Sequence, residues 1–200
     1  MKKPAKKAAK KPATQGSTKG RGLRVLSSTI LCKGRVFVVR HDEIIEPSGI
    51  KATRDIVAHP GSVVIIPVLE DGRIVLIRQF RYAAGQYLWE LVAGHKEPGE
   101  DPLKGAHREL MEETGYTAKH VRKLFDIFPS PGLLGERMDM YLAEGLTKGR
   151  ARPEEDEKIS VKIVTLAEAE RWIREAKIRD AKTIAGLLYY SKFVRHGRRA

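Results

Sequence analysis

One segment, residues 94–116, constrains the fold more than any other, because its sequence specifies a loop followed by a helix with an acidic face. Asp101 is a favourable N-cap, Pro102 suits the first helical position, and Gly115 is placed to end the helix. Residues three and four apart lie on the same face of a helix. Three glutamates share one face at that spacing: Glu109, Glu112 and Glu113. The segment therefore predicts a cluster of carboxylates along one side of a helix.

This carboxylate cluster can be interpreted in two ways. A solvated acidic face is the ordinary interpretation of a glutamate-rich helix. Here Arg108, four residues before Glu112, is the one cation obviously placed to offset the charge, while Glu97 and Glu100 add carboxylates at the helix entry. Hard oxygen ligands with few cations among them are what Mg²⁺ and Mn²⁺ prefer. The segment therefore favours a divalent metal site.

The same segment resembles the complete signature of the Nudix hydrolases. Every specified glycine and polar position is present: Gly94, Glu100, Arg108, Glu109, Glu112, Glu113 and Gly115. Tyr116 stands where an aliphatic residue is commoner, and this departure concerns packing. The resemblance implies a loop–helix–loop that binds divalent metal ions and hydrolyses a nucleoside diphosphate linked to another group.

The resemblance also implies a role for each charged residue of the signature. Glu109 and Glu113 would be the principal metal ligands, with Glu112 assisting. Arg108 would orient the carboxylates, and Glu100 would brace the loop. The implied cofactor is Mg²⁺, with Mn²⁺ as the alternative.

Segments outside the signature resemble the ADP-ribose pyrophosphatase branch of the family. They are residues 78–81 (Arg-Gln-Phe-Arg), 89–94 (Trp-Glu-Leu-Val-Ala-Gly), 130–136 (Ser-Pro-Gly-Leu-Leu-Gly-Glu) and 172–181 (Trp-Ile-Arg-Glu-Ala-Lys-Ile-Arg-Asp-Ala). The resemblance covers roughly residues 50–195. It implies hydrolysis of ADP-ribose, or of a related nucleoside diphosphate sugar, to AMP and ribose 5-phosphate.

Four residues outside the acidic helix are further candidates for the site. Arg54 and Arg81 would bind phosphate, because a guanidinium forks onto anionic oxygens. Ala93 would offer its backbone carbonyl to a metal ion where a strand ends. Glu136, in a Pro-Gly loop, would line the metal site or contact the terminal ribose. For the two arginines and Glu136, a solvated surface position is the alternative.

The acidic run at residues 154–157 supplies the last candidates. Such runs are usually solvated loops. In the ADP-ribose pyrophosphatase branch, however, a glutamate of the corresponding loop closes over the diphosphate and acts as the base, which implies Glu155 here. Glu157 would assist a metal ion when substrate is bound. The assignment can slip by two residues, because loop lengths vary.

The positive charge is concentrated at the start of the chain. Residues 1–22 hold eight lysines and arginines and no acid, which leaves +5 of the total +13 for residues 23–200. This low-complexity tail is predicted to be disordered. Nonspecific contact with nucleic acid or another polyanion and a purely solubilising role both remain open.

Apolar runs and cysteine content bear on the compartment. No run of about 18 apolar residues occurs, so the sequence predicts no membrane span. No apolar stretch follows the basic start, which argues against a secretory signal. The single cysteine, Cys32, cannot form an internal disulfide and is predicted to be a packing residue. These features predict a cytoplasmic location.

The strand and helix patterns predict the fold class α/β, with a mixed β-sheet between helices, and the resemblance implies the Nudix-type α/β/α sandwich. A small antiparallel β unit is predicted at residues 23–58, and the hydrolase domain at 59–200. Asp71 and Gly72 predict a tight hairpin between two apolar strands. Thr165 and Asp180 predict the starts of two further helices.

The sequence leaves alternatives open for the oligomeric state and for the substrate. The resemblance implies a homodimer in which strands from residues 23–60 complete the partner's site. The candidates for stacking on adenine are Phe37, Tyr82 and Trp89, each of which is more often a core residue. Another Nudix substrate, such as GDP-mannose or a dinucleoside polyphosphate, is one alternative. A nucleic-acid-associated sensor that uses the basic tail is an alternative of another class, and the intact signature disfavours it.

Overall fold

The computed structural model describes residues 22–151 and 158–195, which form ten strands and three α-helices. The strands are β1 (Arg24–Lys33), β2 (Val38–Ile45), β3 (Lys51–Ala58), β4 (Ser62–Pro67), β5 (Ile74–Arg81), β6 (Gln86–Glu90), β7 (Val92–His95), β8 (Tyr116–Ile127), β9 (Met138–Lys148) and β10 (Ser160–Val164). The helices are α1 (Pro102–Thr114), α2 (Leu166–Arg174) and α3 (Ala181–Tyr189). A short 3₁₀ turn follows β5 at Tyr82–Ala84, and a π-helical turn at Tyr190–Val194 extends α3.

Strands β1, β2 and β3 form an antiparallel sheet of their own, in the order β1-β2-β3. Every residue of β1 is exposed, including Cys32, so the packing role predicted for that cysteine is wrong for the single chain. Val57 connects this sheet to the rest of the fold through backbone hydrogen bonds with Leu133 and Gly135. The division of the chain into two units at residues 58 and 59 stays a prediction.

The other seven strands form two sheets between layers of helix. One sheet is antiparallel in the order β10-β5-β6, and the other is mixed in the order β7-β4-β9-β8, with β4 parallel to β9. One apolar cluster packs α1 on the sheets through Ala106 and Leu110. A second cluster packs α2 and α3 on the sheets through Trp172 and Leu187. The α/β/α sandwich is therefore confirmed.

The predicted hairpin at Asp71 and Gly72 exists only as a tight turn. Val68 and Ile74 form a single bridge there, and then β4 and β5 enter different sheets. The reason is that β4 has β7 and β9 as its neighbours, while β5 lies between β10 and β6. The side-chain pattern identified both strands but not their partners.

Helix α1 begins and ends where the sequence predicts. The Asp101 carboxylate accepts hydrogen bonds from the backbone N–H groups of Leu103, at 2.8 Å, and Lys104, at 3.3 Å. Gly115 ends the helix in the left-handed conformation, with a φ of 72°, and its N–H donates to the Met111 carbonyl at 2.8 Å. These caps fix the register of the helix and therefore the face on which its glutamates lie.

Tyr116, the unusual residue of the signature, is buried beneath a lysine. The Lys148 ammonium lies 4.3 Å from the centroid of the Tyr116 ring. The same ammonium donates a hydrogen bond to the Thr114 carbonyl at 2.8 Å, near the negative end of α1. An aliphatic residue would offer no aromatic face to this cation, so the departure is explained by packing.

Helices α2 and α3 also have the predicted caps. Thr165 accepts from the backbone N–H of Glu168 at 3.1 Å, and Asp180 accepts from that of Thr183 at 3.0 Å. Helix α3 lies close to the sheet at Gly186, where a Cβ would come within 2.7 Å of Leu91.

Among the described residues, no helix is long and apolar enough to cross a membrane.

Candidate active site

A cavity of about 340 Å³ lies where α1, α3, β7 and the ends of β4, β5 and β9 meet. Its lining residues are Ser62, Arg81, Ala93, Gly94, His95, Glu109, Glu112, Glu136, Met138 and Lys182. Five of the candidates identified from the sequence are in this lining: Arg81, Ala93, Glu109, Glu112 and Glu136. The cavity therefore joins the acidic helix to residues that are distant in the chain.

Arg108 connects the carboxylates of the acidic segment. Its Nε and one terminal nitrogen donate to the two oxygens of Glu100 at 2.9 and 3.0 Å. The other terminal nitrogen donates to Glu109 at 2.7 Å and to Glu112 at 3.0 Å. The hydrogen bond that Arg108 donates to Glu100 is the largest cause of the raised pKa of Arg108, and the same hydrogen bond lowers the pKa of Glu100. The geometry supports an orienting role for Arg108 and a bracing role for Glu100.

Gly94 leaves room for the Glu109 carboxylate because it has no side chain. A Cβ on Gly94 would lie 2.0 Å from the carboxylate carbon of Glu109, well inside any permitted contact. The carboxylate therefore lies against the backbone of β7, in space that a side chain at position 94 would fill. On the next turn, buried Glu113 accepts a hydrogen bond from the Ala93 N–H at 3.2 Å. Both glutamates are thus fixed against the same strand end.

The donor chemistry fits a hard divalent cation. Glu109 and Glu112 offer carboxylate oxygens to the cavity, and Ala93 lines it beside them. Within residues 22–151 and 158–195, no three His, Cys, Asp or Glu side chains converge as a ready-made metal centre. Arg108 engages two of the helical carboxylates, Glu109 and Glu112, so a metal ion would have to compete with it for their oxygens.

Glu136 is buried at the cavity with partners that sequence reasoning missed. Its carboxylate accepts a hydrogen bond from the Ser62 hydroxyl and lies 3.6 Å from His59 Nδ1. The Gly61 N–H donates to the same ring nitrogen at 3.1 Å. Burial lowers the pKa of His59, although Glu136 opposes the shift. This favours a neutral imidazole, and the solvated alternative for Glu136 does not fit its burial.

Arg81 reaches the cavity in a geometry fixed by Glu90. Its Nε and one terminal nitrogen donate to the two Glu90 oxygens at 2.8 and 2.7 Å, as a bidentate fork. The second cation is Lys182, which donates to the same buried carboxylate. Sequence reasoning missed both Glu90 and Lys182. A signal existed in the helical spacing, because Lys182 shares the inward face of α3 with Gly186, four residues later.

The remaining candidates lie elsewhere. Arg54 is on β3, where it pairs with Glu46, and it is not among the residues that line the cavity. Glu155 and Glu157 belong to residues 152–157, which are outside the described part of the chain. Among the aromatic candidates, Trp89 packs against Trp172, whereas Phe37 and Tyr82 are exposed.

Known families and proteins resemble this chain along most of its length. A family model described as the NUDIX domain matches residues 58–187. A methanol dehydrogenase activator from Bacillus methanolicus is 36% identical over 168 residues, which cover 83% of this chain and 91% of the relative. An ADP-ribose pyrophosphatase from Bacillus subtilis is 34% identical over 168 residues, with the same coverage of 83% and 91%.

Two further similarities concern substrate and fold. A GDP-mannose pyrophosphatase from Citrobacter koseri is 36% identical over 139 residues, which cover 64% of this chain and 72% of the relative. A solved structure described as an ADP compounds hydrolase superposes with a TM-score of 0.75 at 20% identity, covering 92% of this chain and 100% of that one. At that identity the superposition supports the fold alone.

Proposed function

Because this chain belongs to the Nudix family of hydrolases, we propose that it hydrolyses the diphosphate bond of ADP-ribose to AMP and ribose 5-phosphate. One observation carries the proposal: a single cavity is lined by the acidic face of α1 and by two cations, Arg81 and Lys182. Carboxylates can hold divalent ions, and a guanidinium such as that of Arg81 can face phosphate oxygens. The Bacillus subtilis relative, named an ADP-ribose pyrophosphatase, supports the choice of substrate.

The metal ligands would come from α1 and the end of β7. Glu109 and Glu113 would be the principal ligands, with Glu112 and the Ala93 carbonyl contributing oxygens beside them. Enzymes of this family generally need a divalent metal ion, and we propose Mg²⁺, with Mn²⁺ as a substitute. When bound, such an ion supplies charge neutralisation for the diphosphate and lowers the pKa of a coordinated water.

Arg81 would hold a phosphate group. Its Nε and one terminal nitrogen are engaged by Glu90, while its second terminal nitrogen donates to no other residue within the described ranges. A guanidinium held on one side in this way presents its free donors with little rotational freedom. Arg81 therefore supplies a fixed donor for a phosphate oxygen of the substrate.

Glu136 and the acidic run complete the proposed site. Glu136, buried beside Ser62 and His59, would line the metal site or contact the terminal ribose. Glu155 would accept the proton of the attacking water, a contribution of about 10²–10⁴-fold in rate. Glu157 would assist at the metal once substrate is bound. The last two residues lie outside the described ranges, and their roles rest on the family resemblance.

Hydrolysis of a nucleotide panel with Mg²⁺ tests the substrate. The panel contains ADP-ribose, GDP-mannose and diadenosine polyphosphates, and phosphate release is coupled to a phosphatase that acts on the products. We expect the highest kcat/KM with ADP-ribose. Equal rates on all of the substrates would rule out a specific ADP-ribose hydrolase.

GDP-mannose is the second candidate substrate, since the Citrobacter koseri relative is named for its action on that compound. Both substrates present a diphosphate to the same cavity and differ in the base and in the sugar. A kcat/KM for GDP-mannose at least tenfold above that for ADP-ribose would favour this alternative, because tenfold corresponds to about 1.4 kcal/mol of transition-state binding.

We also propose a homodimer built through the N-terminal sheet. Four large apolar residues of β1 are between 43% and 58% exposed: Val25, Leu26, Ile30 and Leu31. An exposed edge strand of this kind invites pairing with another chain. Arg54, which does not line the cavity of its own chain, would be placed to serve the site of the partner.

Light scattering during gel filtration tests the dimer. We expect the mass of two chains for the unmodified protein and a shift toward one chain for Leu31→Asp. Val161→Asp is the matched control, because Val161 is also exposed on an edge strand, β10, of a different sheet. A single-chain mass for the unmodified protein would refute the dimer.

Two further properties stay predictions. A cytoplasmic location is proposed because the sequence holds a single cysteine. Contact between the basic tail and polyanions is proposed from charge alone, and residues 1–21 are outside the described ranges. Removing residues 1–21 should weaken retention on heparin without changing kcat for ADP-ribose.

A further inference from the structure

A line of four charged side chains runs along the cavity at its α3 side. Arg81 and Lys182 both donate to the same Glu90 oxygen, and Lys182 also forms an ion pair with Asp180, with 3.0 Å between Nζ and the carboxylate oxygen. Glu90 is 0% exposed and Lys182 is 7% exposed, whereas the Arg81 side chain is 39% exposed. The charges of Glu90 and Lys182 are therefore paired inside the wall of the cavity. Of the four side chains, Arg81 is the one that extends substantially toward solvent.

Helix α3 holds Lys182 beside Glu90 through a second set of contacts. The Thr183 hydroxyl donates to Asp180, the cap of the helix, at 2.5 Å. The same hydroxyl accepts from the backbone N–H of Leu91, the residue after Glu90, at 2.8 Å. The first turn of α3 is thus tied to the end of β6, and the position of Lys182 is fixed by residues on both sides.

The shared carboxylate determines how much charge Arg81 retains. If Glu90 faced Arg81 alone, its single negative charge would offset the single positive charge of the guanidinium. With Lys182 on the same oxygen, the negative charge is divided between two cations. Burial alone would raise the pKa of Glu90, but the hydrogen bond from Arg81 and the charge of Lys182 outweigh it and lower the pKa. Glu90 therefore stays ionised and keeps its fork on Arg81.

We infer that Lys182 is a positioning residue for the substrate's diphosphate and acts through Glu90 on Arg81. This inference rests on the proposed function, in which Arg81 binds a phosphate oxygen. Lys182 holds Glu90 in the orientation that aims the guanidinium into the cavity, and it leaves the guanidinium with charge to offer an anion. The substrate class recognised is a compound with a diphosphate group.

Stability alone is a poor explanation for this arrangement. Buried ion pairs contribute little net stability, because the cost of desolvation offsets the Coulombic attraction, and apolar replacements are often neutral. Leu91, Met140 and Leu187 belong to the apolar cluster that packs α2 and α3 on the sheets. Replacing Glu90 and Lys182 together by apolar residues would therefore be compatible with stability, so the presence of the pair points to a reason connected with the cavity that Lys182 lines.

Binding of inorganic pyrophosphate in Mg²⁺ buffer, measured by isothermal titration calorimetry, tests the inference without turnover of a nucleotide. Lys182→Met keeps the length of the side chain and removes its charge. We expect a Kd for pyrophosphate that is weaker by roughly 3- to 30-fold, the range seen when one member of a coupled network is changed. Arg81→Ala should weaken binding more. Adding Lys182→Met to Arg81→Ala should then have no further effect, because the route through Arg81 is already lost.

The controls separate positioning from folding. Lys119→Met, an exposed lysine on β8, should leave the Kd unchanged. Lys182→Arg should restore part of the affinity, and thermal melts show whether each variant is folded. If Lys182→Met does not fold, Lys182→Gln, which keeps a polar donor at position 182 and removes the charge, should weaken pyrophosphate binding in the same way. With ADP-ribose, the folded Lys182→Met variant should show a raised KM with a smaller change in kcat.

Each outcome bears on a separate claim. Equal weakening by Lys182→Met with and without Arg81 would overturn the inference, because Lys182 would then act independently. An unchanged Kd in Lys182→Met, or no pyrophosphate binding by the unmodified protein, would also overturn it. A protein that binds pyrophosphate with the expected coupling but does not hydrolyse ADP-ribose would refute the proposed substrate and leave the positioning role of Lys182 standing.

Discussion

Replacing Gly94 with alanine should disable the site while leaving the fold intact. Gly94 does not have a positive φ, so alanine can adopt its backbone conformation. The new Cβ would lie 2.0 Å from the Glu109 carboxylate carbon, where ordinary contact begins at 3.4 Å, so the carboxylate has to retreat by roughly 1.4 Å. Metal–ligand distances hold within about 0.2 Å. The retreat therefore removes Glu109 from any metal site it shares.

The expected loss of activity follows from the displacement of the Glu109 carboxylate. A misplacement of about 1 Å in an active site can cost about 10²-fold in rate. We expect kcat for ADP-ribose in Gly94→Ala to fall at least that far, with a higher Mg²⁺ concentration needed for half-maximal rate. The melting temperature should change little, because the flexible end of a side chain moves and not the backbone.

A Mg²⁺ titration at saturating ADP-ribose measures both effects. Gly132→Ala is the matched control, since its Cβ would meet nothing within 4 Å and its φ is not positive. The control should keep the kcat of the unmodified protein. If Gly94→Ala retains more than about a tenth of kcat, and the Mg²⁺ concentration that gives half-maximal rate is unchanged, the position of the Glu109 carboxylate does not limit catalysis.

Three further substitutions test the charges. Glu113→Gln should nearly abolish Mg²⁺-dependent turnover with little loss of melting temperature, because it removes repulsion on α1; retained activity would refute its ligand role. Arg108→Lys should lower kcat at least about tenfold, since an ammonium cannot fork onto Glu100 and reach two other carboxylates; unchanged kinetics would refute the orienting role. Asp139→Asn should cost about 3 kcal/mol of unfolding free energy in urea, because buried Asp139 pairs with Lys96 and Lys123.

The contribution of Asp139 should also depend on pH in a defined direction. Burial would raise its pKa, but hydrogen bonds from Lys123 and Lys96 outweigh it and lower the pKa below the ordinary value. The stabilisation is therefore complete above the unfolded pKa, about 3.9, and is lost as pH falls through the folded pKa. Urea unfolding at a series of pH values should show the difference between the protein and Asp139→Asn shrinking below about pH 4. A difference that grows on acidification would contradict the pairing.

Local sequence predicted the parts of the fold that depend on local contacts. Asp101 and Gly115 bound α1 because capping involves neighbouring residues only. The turn at Asp71 and Gly72 was found for the same reason, but the strands beside it enter different sheets, since sheet partners are chosen by packing across the whole chain. Cys32 is exposed because both faces of β1 are uncovered in the single chain, which an apolar run does not reveal.

The candidate site likewise contains residues that local sequence identifies and residues that only the fold brings together. The spacing of Glu109 and Glu112 was sufficient to place both on one helix face, and both line the cavity. Lys182 reaches Glu90 across 92 positions in the chain, so no local pattern identifies the pair. Ser62 meets Glu136 across 74 positions, with the same consequence. Glu109, Glu112 and Arg81 were therefore predictable from sequence, whereas their long-range neighbours Glu90, Lys182 and Ser62 required the fold.

Product analysis of ADP-ribose incubated with and without Mg²⁺ tests the central claim most directly. Separation of the products by ion-exchange chromatography distinguishes cleavage of the diphosphate, which gives AMP and ribose 5-phosphate, from cleavage of the terminal phosphate ester, which gives ADP and ribose. We expect equal amounts of AMP and ribose 5-phosphate, formed only when the divalent ion is present. Release of ADP, or no consumption of ADP-ribose with either Mg²⁺ or Mn²⁺, would contradict the assignment of this cavity as a metal-dependent ADP-ribose hydrolase site.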